Sequence, residues 1–187
     1  MGRWEPDSRG RLAEAAFALY AERGFENTTV AQIAERAGLT ERTFFRHFAD
    51  KREVLFAGSS ELQDRMVGAV SEAPDSLPPI DVVAAGLDAA AAFLPARERA
   101  RQRQAIIAAN PELQERELIK FASLSTALAD TLRHRGLTEP AASLTAELAM
   151  SVFRVAFERW VAEDNDRDLP ELMHEALDEL KVVTAAV

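Results

Sequence analysis

The sequence predicts an all-α fold, and three observations carry that expectation. No run alternates apolar and polar residues with β-branched or aromatic enrichment, and no Asn-Gly or Asp-Gly pair offers a hairpin turn. Apolar residues instead recur at i, i+3, i+4 and i+7 in one segment after another. Glycines, prolines and short hydroxyl or carboxylate side chains stand where helices need stops and caps.

Taken in order, Leu12, Ala15, Ala16, Leu19 and Tyr20 form the apolar face of a first helix that stops at Gly24. Thr28 or Thr29 caps a second, in which Val30, Ile33, Ala34 and Ala37 share a face up to Gly38. Thr40 caps a short third helix running to Phe48. Asp50 and Glu53 have the spacing of a capping box and open a longer connecting helix over about 51–72. Residues 73–79, with Pro74, Pro78 and Pro79, form the expected linker between two helical units. Then come an Ala-rich helix to Phe93, one from Pro95 to Asn110, and one from Pro111 to Gly136. A long helix follows over 140–163, then a polar loop over 163–167 and a last helix from Leu169. The expected domains are 1–50 and 51–187.

Composition narrows the function classes. The chain has 187 residues and no cysteine, which excludes disulfides, thiol catalysis and thiolate metal sites. No apolar run approaches the ~20 residues needed to cross a bilayer, and residues 1–11 carry no hydrophobic leader, so the expectation is a cytoplasmic protein without a membrane partner. Net charge is −9, which by itself disfavours nucleic acid. The distribution reverses that: residues 1–56 hold nine basic and nine acidic side chains, so residues 57–187 carry the whole excess.

Residues 28–55 read TTVAQIAERAGLTERTFFRHFADKREVL. Two short helices meet at Ala37-Gly38-Leu39-Thr40, with glycine for the sharp turn and an apolar plug after it, as a helix-turn-helix requires. The second helix of such a unit lies in the DNA major groove. At 100° per residue Phe44 and Phe48 share its inner face with Phe45 beside them. Arg42, Thr43, Arg46 and His47 point the other way, as residues that read base edges and phosphates. Lys51 adds a cation near the DNA backbone.

This segment resembles the DNA-binding head of the TetR family of bacterial transcriptional regulators. The resemblance rests on Thr29, Ile33-Ala34-Glu35-Arg36-Ala37-Gly38, Thr40, Phe45-Arg46-His47-Phe48 and Lys51, and on Tyr20-Ala21-Glu22-Arg23-Gly24-Phe25 before them. It covers about 50 residues; the rest fits in helix count and order. The family usually has tyrosine where Phe45 stands, and its hydroxyl often bonds a phosphate, a contact Phe45 cannot make. Together these readings give DNA contact to Thr28, Thr29, Thr40, Arg42, Thr43, Phe45, Arg46, His47 and Lys51.

The resemblance further implies a helical-bundle domain for ligand binding and dimerisation, and a ligand-responsive regulator, a repressor released from a palindromic operator by a small hydrophobic effector. The last two long helices should form a four-helix bundle with those of a second copy. Residues 105–108 and 110–113 resemble family members with acyl-CoA-type ligand domains, which makes an acyl-CoA-like molecule one candidate. Phe93, Ile107, Phe121, Met150, Phe153, Phe157 and Trp160 are the expected pocket residues, with core or dimer packing as the competing role for Met150, Phe153, Phe157 and Trp160. The arginines at 97, 99, 101 and 103 split onto two helix faces and read as solvated surface. His134 and His174 have no Glu at metal spacing, so no metal and no cofactor is implied. An enzyme is disfavoured: the sequence has no Gly-rich phosphate loop, no HExxH and no Ser elbow. The remaining alternative is a helical interaction or ligand-binding module whose head no longer binds DNA specifically.

Overall fold

The computed structural model describes residues 7–162 and 166–185; most of the polar loop expected at 163–167 lies outside them. The described residues form nine α-helices: α1 (Ser8–Arg23), α2 (Val30–Arg36), α3 (Glu41–His47), α4 (Ser59–Glu72), α5 (Pro79–Phe93), α6 (Arg97–Ala108), α7 (Pro111–His134), α8 (Ala141–Val161) and α9 (Leu169–Ala185). A 3₁₀ turn spans Arg52–Val54. There is no strand among them, and no single helix there is long and apolar enough to cross a membrane.

Two compact units divide the chain. The first takes in the chain up to Ala57 together with Gln102–Glu117; the second takes in Gly58–Arg101 and the chain from Leu118 on. In the first, α1, α2 and α3 pack pairwise around Leu12, Ala16, Leu19, Tyr20, Ile33, Phe44 and Phe48. Ile107 and Leu113, from the ends of α6 and α7 that belong to this unit, are fully buried in the same core. In the second, α4 packs on α5, α8 on α9, and α5 on both α8 and α9. Met66, Val70, Leu87, Leu128, Leu132, Phe153, Leu172 and Met173 fill its centre. Ala142, Ala146, Ala149 and Ala156 give α8 a buried small-residue face.

The expected helix over 51–72 is interrupted. Asp50 does cap, but what it caps is the 3₁₀ turn: its Oδ1 accepts from the N–H groups of Arg52 (2.8 Å) and Glu53 (3.1 Å). The Glu53 side chain pairs with Arg116. Leu55 and Phe56 turn into the head's core, the Leu55 carbonyl accepts from Arg103 Nε at 2.8 Å, and α4 starts only after Gly58. The expected linker at 73–79 is a turn inside the second unit. Arg135 holds it, donating to the carbonyls of Ser71 (3.0 Å) and Pro74 (3.1 Å).

Candidate nucleic-acid interface

The head is built around the stop of α2 and the start of α3. Thr29 and Gln32 form a reciprocal capping box at the start of α2. At its end Leu39 N–H bonds Ala34 O (2.8 Å) and Gly38 N–H bonds Glu35 O (2.9 Å). That pair closes a helix with a left-handed residue, and Gly38 supplies it at φ +66°. The Arg11 guanidinium donates to the Ala37 carbonyl beside this turn. Thr40 then caps α3, accepting from Thr43 N–H at 3.2 Å, with the two hydroxyls 3.1 Å apart.

This entry fixes which way α3 faces. Phe44 is fully buried and Phe48 nearly so, their rings 5.4 Å apart. Arg42 and Arg46 are exposed, Thr43 and His47 half-buried, and an Arg46 guanidinium nitrogen lies 3.4 Å from His47 Nε2. Phe45 departs from the expected arrangement. It is 56% exposed and stands on the outward face with Arg42, edge-on to Phe44 at 5.5 Å.

Two other cations of the head are paired internally. Arg36 pairs with Glu22 at 2.6 Å and Arg52 with Asp50 at 2.6 Å. Burial by itself would raise the Asp50 carboxyl, but hydrogen bonds from Arg52 and from the Glu53 N–H, with the Arg52 charge, hold it below its ordinary range. Arg42 and Arg46 have no carboxylate or carbonyl partner among the described residues. The outward face of α3 therefore carries uncompensated positive charge, the property a phosphate-rich surface selects.

Two expected contact residues are turned inward. Thr28 is 1% exposed, and its hydroxyl donates to the Gly24 carbonyl at 2.8 Å. It closes the turn after α1, where the last helical carbonyls need donors. Lys51 Nζ donates to the carbonyls of Phe25 (2.8 Å), Thr28 (3.0 Å) and Glu26 (3.3 Å) and lies 4.3 Å from the Phe25 ring centre. The Lys51 carbonyl in turn accepts from the Tyr20 hydroxyl at 2.6 Å. Sequence reasoning missed this role for Tyr20; it has no local signal, because the two residues are far apart in the chain.

In the second unit, Met150, Phe153, Phe157 and Trp160 are all buried in the core. Phe153 and Phe157 stack at 5.9 Å, Phe121 meets Phe153 edge-on at 5.9 Å, and Trp160 tilts against Phe157. Phe93 is half-buried beneath the Arg65 guanidinium. Ile107 does not join them: its place in the head's core removes it from the expected pocket. A groove of about 480 Å³ is lined instead by Pro79, Ile80, Thr145, Leu148, Leu180, Lys181 and Thr184, none of them expected pocket residues. The arginine run is likewise not all solvated. Arg103 also donates to Glu117 (3.0 Å) and lies over the Phe56 ring, and burial pulls its guanidinium below the ordinary arginine range.

An all-α chain whose capped helix-turn-helix presents exposed arginines with no carboxylate partner among the described residues has the build of a DNA-binding regulator, and the comparisons agree. Residues 12–57 match the description "Bacterial regulatory proteins, tetR family", and residues 77–185, more than half of the chain, match "MftR C-terminal domain". The chain belongs to the TetR family of bacterial regulatory proteins. It is 26% identical over 182 residues to MftR of Mycobacterium tuberculosis, named as a mycofactocin biosynthesis transcriptional regulator, covering 95% of this chain and 91% of that one. Other curated relatives match over shorter segments, spanning 24% to 36% of their own length. A crystal structure of a transcriptional regulator from Rhodococcus sp. Rha1 aligns with TM-score 0.56 at 27% identity, over 92% of this chain and 93% of that one. Thermus thermophilus FadR, a repressor solved with lauroyl-CoA, aligns with TM-score 0.54 at 24% identity over 92% and 93%.

Proposed function

We propose that this chain is a cytoplasmic homodimeric repressor that binds a palindromic operator and is released by a small hydrophobic effector, with no catalytic step. In this reading residues 1–50 bind DNA and residues 51–187 bind the effector and dimerise. The carrying observation is the outward face of α3, where Arg42 and Arg46 are exposed and have no carboxylate partner among the described residues. Arg42 and Thr43 read base edges; Thr29, Thr40, Arg46 and His47 hold the phosphates. Thr28 and Lys51 set the frame for these contacts. The acidic remainder of the chain favours presenting the neutral head to DNA.

Dimerisation is supported by a stripe on α8, where Leu144 and Val155 are exposed and Leu148 is half-buried, and by exposed Val182 and Val183 near the end of α9. The apolar effector class is supported by the aromatic cluster of the second unit, and the lauroyl-CoA complex of FadR adds acyl-CoA thioesters to the molecules to be screened. Two copies related by a two-fold axis place their α3 helices in successive major grooves, about one DNA turn apart. An effector that favours a different spacing shifts the population away from the DNA-competent state.

Selection from a random duplex pool, followed by footprinting, tests the reading. The expected result is a palindrome with half-sites one helical turn or a multiple apart. A monomer bound to one asymmetric half-site would overturn it.

A further inference from the structure

Phe45 is the one aromatic among the described residues that is large and exposed, and it stands on the helix that presents the exposed Arg42 and Arg46. Its ring abuts buried Phe44 edge-on at 85°, on a helix whose start is fixed by the Thr40 cap. At 100° per residue Phe45 lies about 60° to one side of Arg42, and Arg46 about 40° to the other. The exposed surface is thus an apolar ring beside two uncompensated guanidiniums.

That pattern selects its occupant. An apolar protein partner would strand the two arginines without counter-charge, which is costly. Duplex DNA offers anionic phosphates along both walls of the major groove. On its floor it offers one apolar feature, the 5-methyl group of thymine. We propose that Phe45 is a specificity-determining residue that packs its ring against a thymine methyl in each operator half-site. The contact stands in for the phosphate hydrogen bond that a phenol would make here, and it exchanges a sequence-independent contact for a sequence-dependent one. The proposal rests on the DNA-binding reading above.

The test uses the full chain and the duplex that it selects from a random pool. Each thymine is replaced singly by deoxyuridine, which removes the methyl group and leaves the pairing edge intact. At one thymine per half-site the unsubstituted protein should lose about fourfold in affinity, the value of burying one methyl. Phe45→Ala should bind the thymine and uracil duplexes equally at that position, and Phe45→Tyr, which keeps the ring, should still discriminate. Circular dichroism checks that both variants stay folded. Binding with a steep salt dependence but no methyl-sensitive position overturns the contact alone, as does discrimination that survives in Phe45→Ala. Failure to bind any duplex overturns the DNA-binding reading and this proposal with it.

Discussion

The ammonium of Lys51 stands 3.0 Å from the carbonyl oxygen of Thr28, the residue that immediately precedes the cap of α2. With the Phe25 and Glu26 carbonyls it has an acceptor for each of its three donors. Its place in the sequence put this cation near the DNA backbone; in the structure it ties the start of the 3₁₀ turn to the loop between α1 and α2.

Lys51→Met should therefore act on stability. Losing charge-assisted hydrogen bonds costs about 1.5–3 kcal/mol each at most, so the thermal transition should fall by several degrees. The salt dependence of DNA binding by the folded variant should stay unchanged. Arg42→Ala should leave the melt unaltered and relax the preference at one base pair, at a cost of about 1–3 kcal/mol there. A Lys51→Met protein with a normal melt and a flattened slope would return Lys51 to the phosphate.

Tyr20 ties the other side of the same residue, and its environment sets an alkaline limit. Burial, followed by the charge of Asp50, pushes its phenol well above the usual value. The unfolded chain then releases this proton at lower pH than the folded one. Its contribution to stability is complete below about pH 10, the unfolded value, and declines as pH rises beyond it. Denaturant unfolding measured between pH 8 and 11 should show that decline, and Tyr20→Phe should flatten it. The variant should also lose about 0.5–1.5 kcal/mol at neutral pH with the hydrogen bond to Lys51 O.

Gly38→Ala should weaken the head. The residue sits at φ +66°, which costs an L side chain about 1–2 kcal/mol, and an added Cβ would stand 3.0 Å from the Arg11 guanidinium. Because Arg11 caps the same turn through Ala37 O, the strain and the displaced cap fall on one site. A chemical denaturation midpoint equal to that of the parent protein would contradict this account.

What the sequence made legible is what local chemistry decides. Thr29 and Thr40 cap because a hydroxyl before a helical run has few other uses, Gly38 and Gly136 end helices at positive φ, and Phe44 and Phe48 lie one helical turn apart and are buried together. Long-range partners decide the rest. Nothing adjacent to Thr28 shows that its hydroxyl is taken by Gly24 O. Gly58 alone hints at the break before α4. Ile107 lies in an apolar run that suits a pocket as well as a core, and only the packing of 102–117 with the head separates the two. Pro74, Pro78 and Pro79 break a helix whether the chain then crosses to another unit or folds back. Here it folds back, and Arg135 holds the turn.

Aromatic core and dimer surface should separate cleanly by mutation. Phe153 is 3% exposed within one chain, stacked on Phe157 and edge-on to Phe121, so Phe153→Ala should cost about 3–5 kcal/mol of folding stability. Leu144 and Val155 are 59% and 46% exposed on α8, and replacing them opens no cavity. In the proposed symmetric dimer each substitution is present twice across the two-fold axis. The Leu144→Glu, Val155→Glu double variant should then place like charges in one apolar seam and dissociate it. The expected product keeps parental helicity and melts as a monomer. It binds a single half-site weakly, because a lone head has lost the effective concentration that its tethered twin supplies. Sedimentation velocity, circular dichroism and an operator titration on both variants decide the matter. Should the double variant sediment as a dimer with full operator affinity, the α8 stripe would not be the seam.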